Sequence, residues 1–163
     1  MDIKTADLCD QFAAEVSIAD PIFMRYGGRA VFGGPLTTLK VYEDNTLVRE
    51  ALSTSGQGQV LVIDGGGSLR CALLGDQLAQ LAYDNAWAGI IVYGCIRDAR
   101  AIAAMDIGIR ALNTHPRKSV KRGEGQHQIS LTFAGITFIP GHYVYADEDG
   151  IIVAERPLII DPE

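Results

Sequence analysis

Two apolar stretches decide the fold: VLVIDGGG at residues 60–67 and GIIVYG at residues 89–94. Each begins as a β-branched run and ends in glycine, which is typical of a strand buried on both faces. Between them, Leu74, Leu78 and Leu81 follow helical spacing around a Gly-Asp pair. The sequence therefore predicts a strand–helix–strand unit with parallel strands.

Upstream of this unit we predict two helices and a strand. Thr5 is placed to cap a helix that reaches Val16. LTTLKVYE, residues 36–43, alternates like a strand, and Asn45 is placed to cap a helix over TLVREAL.

Downstream, short runs rich in β-branched and aromatic residues are separated by Gly or Asp turns and predict antiparallel hairpins. These runs are ISLTF, ITFIPG, HYVYAD and GIIVAE. The polar segment at residues 117–128 is either a solvated surface connection or a flexible rim over a site or a partner surface. We predict one α/β domain over residues 1–163, with a mixed parallel and antiparallel sheet flanked by helices.

Charge and hydropathy exclude several classes of protein. The chain has 14 Lys and Arg against 20 Asp and Glu, a net charge of −6, which disfavours direct nucleic-acid binding. It has no apolar run of the roughly 20 residues that cross a bilayer, and its first residues do not resemble a signal peptide. We expect a cytoplasmic protein that does not enter a membrane.

Several common catalytic motifs are missing from the sequence. The cysteines Cys9, Cys71 and Cys95 are far apart, and we expect buried, reduced thiols. The three histidines lack zinc-ligand spacing, so a metal would need oxygen ligands. The triple glycine matches neither a dinucleotide fingerprint nor a phosphate loop and is interpreted as a tight turn.

The candidate site lies where the second strand ends. Arg97 and Asp98 follow that strand directly, at the edge where parallel sheets bind ligands. Gly75 and Asp76 open the preceding helix, whose first amides, from Gly75 to Leu78, can face an anion. Two carboxylates beside an arginine can hold magnesium or manganese. The alternative is that the Arg-Asp pair merely begins a helix.

The spacing of these residues resembles a known signature. Asp76, twenty intervening residues and Arg97-Asp98 resemble the Asp-x20-Arg-Asp signature of class II 4-hydroxy-4-methyl-2-oxoglutarate aldolases. Nearly the whole chain resembles the related regulator of ribonuclease E activity (RraA-like) family. The segments that carry this likeness are LCDQF, FGGPLTTLKVYEDN, VLVIDGGGSLRCALLGD, GIIVYGCIRD and FAGITFIPGHYVYADEDGIIV. The resemblance implies a swivelling-type α/β fold and a homotrimer or dimer of trimers.

The resemblance also implies roles for the site residues. Asp98 would bind the divalent cation, Mg²⁺ or Mn²⁺, and Asp76 would orient its water. Arg97 and the residues Gly75, Asp76, Gln77 and Leu78 would hold the pyruvoyl part of a small 2-oxo acid. Aldol cleavage would then release pyruvate enolate, the species that oxaloacetate decarboxylation also forms, so a decarboxylase side activity is expected.

Two questions stay open in the sequence. Longer aldolases of the family carry a C-terminal extension that supplies an acidic residue to the neighbouring subunit's site. Here Asn45 and Glu50 either approach the site from the second predicted helix or only cap and solvate that helix. Regulatory members instead bind and inhibit ribonuclease E, and the best-known type lacks the acid after the arginine. Because this sequence keeps Asp98, the aldolase interpretation is favoured and the regulator is the alternative.

Overall fold

A mixed sheet of ten strands dominates residues 2–159, which are the residues that the computed structural model describes. Its strands are β1 (Val16–Ile18), β2 (Met24–Tyr26), β3 (Phe32–Lys40), β4 (Val60–Asp64), β5 (Ala72–Leu74), β6 (Gly89–Ile96), β7 (Gly108–Thr114), β8 (Gln126–His127), β11 (Tyr143–Ala146) and β12 (Ile151–Ala154). The strands β9 (Leu131–Phe133) and β10 (Ile136–Phe138) form a separate hairpin. The helices are α1 (Thr5–Gln11), α2 (Thr46–Leu52), α3 (Asp76–Asp84) and α4 (Ala99–Ala103). None of these helices has the length and apolar character to cross a membrane.

The parallel centre of the sheet confirms the first prediction. Strand β4 pairs in parallel with β3 on one side and with β6 on the other, and β6 pairs in parallel with β7. Every residue of β4 is buried, because core side chains cover both faces of the sheet. Helices α2 and α3 contribute apolar side chains to one of these core layers.

The downstream runs are antiparallel, as predicted, but they divide between two sheets. Strands β11 and β12 form a hairpin that joins the main sheet through β3 and also pairs with β1. The β9–β10 hairpin instead packs across the core, where the ring of Phe133 stacks on Tyr93 with centroids 4.7 Å apart.

The first helix is shorter than predicted. Thr5 begins α1, but its side chain does not cap the helix; its hydroxyl donates to Asp147 Oδ1 at 2.6 Å. The helix ends at Gln11, and Val16 is the first residue of β1. Pairing of β1 with β12 overrides the local helical pattern, since tertiary context routinely outweighs helix propensity.

The connection between β3 and α2 also differs from prediction. The strand lies at residues 32–40 and ends before the predicted limit of 43. Asn45 precedes α2 but makes no capping bond; Asp44 Oδ1 instead accepts from the Thr46 amide at 2.9 Å and hydroxyl at 2.7 Å. Asp44 therefore fixes the start of the helix and leaves the Asn45 side chain free of that role.

The triple glycine forms the predicted tight turn. Gly66 and Gly67 have φ values of 68° and 71°, a conformation that glycine adopts without steric cost. The Gly66 amide donates to Asp64 Oδ1 at 2.8 Å, and the ring of Tyr93 packs beside Gly67. The side chains of Asp64 and Tyr93 therefore contact the glycine turn directly.

Candidate active site

The two halves of the Asp-x20-Arg-Asp motif meet at the carboxyl ends of neighbouring strands. Strands β5 and β6 run in parallel, with Leu74 opposite Ile96, and the Arg97 amide donates to the Leu74 carbonyl at 2.9 Å. The pairs that follow these strands, residues 75–76 and 97–98, therefore lie side by side. Leu74, predicted on the helix, is the last residue of β5, and α3 begins only at Asp76.

Asp98 is held in a specific position by the opposite half of the motif. Its backbone is left-handed (φ 59°, ψ 38°), and its Oδ2 accepts from the Asp76 amide at 3.0 Å. Although Asp98 precedes α4, its carboxylate makes no capping bond to that helix. The carboxylate is directed at the start of α3, so Asp98 connects the two halves of the motif as well as preceding α4.

Gly75 is required by the close approach of these two halves. A Cβ atom at this position would lie 2.7 Å from Asp98 Oδ2 and 3.5 Å from Arg97 Cγ. The backbone of Gly75 is extended (φ −128°), so the requirement is one of space and not of conformation.

The first turn of α3 presents backbone donors to the same place. The amide of Asp76 is already bound to Asp98, whereas those of Gly75, Gln77 and Leu78 find no acceptor among residues 2–159. Unpaired amides at a helix start, together with the helix dipole, form a binding site for an anion. Three of the four predicted amides are therefore available to a ligand.

Arg97 lies beside these donors and is half-buried. Its Nη1 faces the carbonyl of Pro116 at 3.5 Å. Within the described chain it forms no ion pair with a carboxylate. Because no acidic side chain neutralises it, the guanidinium is able to bind an anionic ligand.

A loop that the motif did not reveal forms a third wall. The Ala72 amide donates to the Arg117 carbonyl at 2.8 Å, and Lys118 forms a bridge with Ala72. Farther along, the Val120 amide donates to the Glu43 carbonyl at 3.0 Å. The loop is thereby fixed to β5, and it contributes Lys118, Ser119 and Lys121 to the cavity. This part of the polar segment therefore borders the candidate cavity, and these hydrogen bonds hold it in place.

Helix α2 and the residue before it contribute one lining residue each, of which one was predicted. Asn45 and Arg49 line the cavity, as expected for residues four apart on one helical face. Glu50 does not line this cavity; it borders a different one, between α2 and β3, because the next residue on a helix is rotated by about 100°. Of the two alternatives for Glu50, its position agrees with the one in which it does not approach the site, and Arg49 is the lining residue that sequence reasoning missed.

The completed cavity has a volume of about 160 Å³ and is rich in positive charge. It is lined by the cations Arg49, Arg97, Lys118 and Lys121 and by the carboxylates of Asp76 and Asp98. Two of the lining residues, Asn45 and Ser119, each have a buried side-chain oxygen without a hydrogen-bond partner among residues 2–159. In a protein with a net charge of −6, this local excess of cations favours an anionic ligand.

The carboxylates of this cavity fit a hard divalent cation that keeps part of its water shell. Among residues 2–159 no group of three or more His, Cys, Asp or Glu side chains could enclose a metal. Asp76 and Asp98 supply oxygen donors, and Mg²⁺ is usually bound by one or two carboxylates together with water and substrate oxygens. The two carboxylates are therefore suited to a cation whose other coordination positions are filled by water and substrate oxygens.

The cysteines are unsuited to nucleophilic catalysis. Cys71 and Cys95 are buried, while Cys9 is only half-buried, which corrects the expectation for that residue. Burial raises the pKa of all three thiols, so the reactive thiolate is disfavoured.

The fold and the cavity define an α/β protein with a cation-rich cavity at the ends of two parallel strands, beside a pair of carboxylates. The chain belongs to the RraA-like family, described as Aldolase/RraA, whose profile matches residues 5–153. This assignment confirms the family resemblance of the sequence.

Individual relatives carry more than one functional name. A protein of Aromatoleum aromaticum named "Putative 4-hydroxy-4-methyl-2-oxoglutarate aldolase" is 59% identical over 98% of this chain and 100% of its own. The RNA-processing inhibitor RraA from Thermus thermophilus is 43% identical, with a TM-score of 0.94 over 98% of this chain and 96% of its own. A Geobacillus kaustophilus structure described as an S-adenosylmethionine: 2-dimethylmenaquinone methyltransferase is 53% identical, with a TM-score of 0.94 over 96% of this chain and 97% of its own. The fold alone does not select among these names, so the choice depends on the site.

Proposed function

We propose that the protein is a divalent-metal-dependent aldolase that cleaves 2-oxo acids of the 4-hydroxy-4-methyl-2-oxoglutarate type and releases pyruvate. The observation that carries the proposal is the Asp98 carboxylate, held by the Asp76 amide in a cavity that also contains Arg97. Relatives that share 57–59% of their residues with this chain bear the corresponding aldolase name. The same enzyme would decarboxylate oxaloacetate.

Each part of the cavity has a task in this reaction. Asp98, with Asp76 beside it, would hold the cation, which would supply Lewis-acid polarisation of the 2-oxo group. The unpaired amides of Gln77 and Leu78 bind the adjacent carboxylate of the substrate. Arg97 places its positive charge where negative charge develops on the oxygen at C2.

These interactions favour breakage of the bond between C3 and C4. The 4-hydroxyl loses its proton to a water molecule as C4 becomes a carbonyl carbon, and the bonding electron pair moves into the C2–C3 enolate. Return of a proton from water to C3 of the enolate yields pyruvate. Loss of CO₂ from oxaloacetate leaves the same enolate. In both reactions Arg97 would therefore stabilise the negative charge on the oxygen at C2.

The test measures pyruvate formation from 4-hydroxy-4-methyl-2-oxoglutarate with Mg²⁺, with Mn²⁺ and after removal of metal by a chelator. Asp98→Ala and Arg97→Ala should each lower kcat/KM by about 10²-fold or more, as expected when a transition-state contact is lost. Arg100→Ala, an exposed arginine on α4, and Asp10→Ala, an exposed acid on α1, are the matched controls. Activity that survives chelation and both site substitutions contradicts the proposal.

A second candidate function is inhibition of a ribonuclease, which the 43% identity with the Thermus inhibitor favours. This function needs a protein surface and no metal. Inhibition of ribonuclease E that persists in Asp98→Ala, together with a complex at micromolar concentration, supports it. The two functions are compatible in one protein if the inhibitory surface lies outside the cavity.

A further inference from the structure

His115 lies beside the candidate site, and its ring has no part in the reaction proposed for that site. It follows β7 directly, and its amide donates to the carbonyl of Ile96, the last residue of β6, at 2.9 Å. The half-buried ring turns back onto its own chain, where Nδ1 accepts from the Arg117 amide at 3.1 Å. Because a backbone N–H can only donate, Nδ1 carries no proton in this arrangement, and the proton of the neutral ring is on Nε2.

This hydrogen bond fixes the orientation of one peptide group. The Arg117 N–H and the Pro116 carbonyl belong to the same planar unit and point in opposite directions, because the peptide is trans. The proline ring holds φ of Pro116 at about −65°, so only its ψ angle is left to orient the unit. Nδ1 of His115 therefore directs the Pro116 carbonyl away from the imidazole, while the next carbonyl, that of Arg117, accepts from the Ala72 amide at 2.8 Å.

The Pro116 carbonyl is the group that meets the guanidinium of Arg97. Arg97 Nη1 lies 3.5 Å from this oxygen, and this is the one hydrogen bond that the Arg97 side chain forms among residues 2–159. The stem of the same side chain packs on Gly75, where a Cβ atom would lie 3.5 Å from Arg97 Cγ and 3.6 Å from Nε. The guanidinium is thus held between the start of α3 and the peptide group that His115 orients.

We propose that His115 is a positioning residue for Arg97. Its unprotonated Nδ1 fixes the peptide group that follows Pro116, and the carbonyl of that group orients the guanidinium. The inference rests on the proposed function in taking Arg97 to stabilise the oxygen at C2. It goes further by giving a role to a residue outside the Asp-x20-Arg-Asp motif that does not itself line the cavity.

The experiment uses two substitutions that differ in the acceptor they provide. His115→Leu removes Nδ1 and leaves an apolar side chain. His115→Asn restores an acceptor, since the side-chain oxygen of asparagine accepts from the amide two residues on, and Asn-Pro favours the start of a turn. The chain uses this geometry at Asp44, which accepts from the Thr46 amide at 2.9 Å, and at Asp64, which accepts from the Gly66 amide at 2.8 Å.

The kinetic readout is pyruvate release by the Mg²⁺-loaded protein. His115→Leu should lower kcat about tenfold with less than about a twofold change in KM, because the displaced charge of Arg97 acts in the transition state. His115→Asn should stay within about twofold of the parent kcat. His127→Leu, at an exposed histidine on β8, is the matched control and should leave both constants unchanged.

A double-mutant cycle tests whether His115 acts through Arg97. In Arg97→Ala there is no guanidinium to orient, so the addition of His115→Leu should change kcat/KM by less than about twofold. A role in the fold alone would give the same loss in both backgrounds. NMR of the labelled imidazole nitrogens provides a readout on the unsubstituted protein: at pH 8 the proton of His115 should be on Nε2 and absent from Nδ1.

Calorimetric titration of the Mg²⁺-loaded protein with oxalate separates this inference from the proposed function, since oxalate resembles the pyruvate enolate and undergoes no cleavage. His115→Leu should weaken oxalate binding about tenfold in the parent and by less than about twofold in Arg97→Ala. Absence of pyruvate release by the parent, with these oxalate affinities intact, would overturn the aldolase but keep the role of His115. Equal losses in the two backgrounds, no loss, failure of His115→Asn to restore oxalate binding, a proton on Nδ1, or a parent that does not bind oxalate would overturn the assignment of His115.

Discussion

Substitution of Gly75 by alanine tests whether activity depends on the position of the Asp98 carboxylate. The added Cβ would lie 2.7 Å from Asp98 Oδ2, whereas ordinary contacts begin at 3.4 Å. The carboxylate must therefore move by about 0.7 Å, and its 3.0 Å hydrogen bond from the Asp76 amide is lost or bent. The extended backbone of Gly75 is accessible to alanine, so little conformational strain accompanies the change.

Two independent estimates give the size of the effect. A misplacement of catalytic groups by about 1 Å costs about 10²-fold in rate. Loss of a hydrogen bond to a charged group costs about 1.5–3 kcal/mol, which corresponds to about 10-fold to 150-fold. We therefore expect Gly75→Ala to lower kcat/KM for pyruvate release by about 10²-fold.

The assay couples pyruvate to the oxidation of NADH by lactate dehydrogenase, over a series of Mg²⁺ concentrations. The Mg²⁺ concentration that gives half-maximal activity should rise, because Asp98 is displaced. Gly150→Ala is the matched control, since a Cβ there meets no atom within 4 Å and the backbone φ is not left-handed. A folded Gly75→Ala protein that keeps more than a third of the parent kcat/KM would refute the assigned role of Asp98.

Three other measurements test separate parts of the structure. Burial raises the pKa of Asp44, but hydrogen bonds from Thr46, Glu124 and Arg122 outweigh it and lower the pKa from 3.8 to about 2. This carboxylate should stabilise the fold by about 2 kcal/mol above pH 3.8 and lose that contribution as the pH falls towards 2; urea unfolding of Asp44→Asn should show a flatter pH dependence in that range. Because burial raises the pKa of Cys71 and Cys95, a disulfide reagent at pH 8 should modify them at least about tenfold more slowly in native protein than in urea, and equal rates would contradict their burial. Light scattering should give a mass three or six times that of the 17.5 kDa chain if the homotrimer or dimer of trimers implied by the family is correct, and a monomer at micromolar concentration would contradict it.

The parts of the fold that the sequence predicted are those governed by local pattern. The strand at residues 60–64 was placed correctly, because a continuous β-branched run between glycines has few alternatives to a buried strand. The helix predicted to reach Val16 was too long, since pairing of β1 with β12 is a contact between distant parts of the chain. Asn45 was mistaken for a helix cap because its neighbour Asp44 has an equally suitable side chain, and spacing does not distinguish the two.

In the candidate site, too, local pattern predicted some residues, whereas others depend on contacts between distant parts of the chain. The sequence predicted Arg97 and Asp98 at the carboxyl end of a strand and Asp76 at the start of a helix, but not strand β5, which brings Asp76 beside Asp98. The sequence left open whether the polar segment borders a site and named none of Lys118, Ser119 and Lys121, because their placement depends on contacts between distant parts of the chain, such as that of Lys118 with Ala72. A cluster of cations in KSVKR was the one signal in the sequence, and cations in a polar loop are usually solvated.

The distribution of unpaired polar atoms gives an independent reason to place function in this cavity. Two buried side-chain atoms in the described residues lack a partner, Asn45 Oδ1 and Ser119 Oγ, and both belong to residues that line this cavity. Elsewhere the chain satisfies demanding buried groups; the guanidinium of Arg110, for example, donates to the Ala30 carbonyl at 2.6 Å. A fold that satisfies a buried arginine but leaves two neutral polar atoms unpaired in one cavity gives up stability at that place. Such a local conflict is expected where residues are arranged for a ligand, because binding supplies the partners that folding does not.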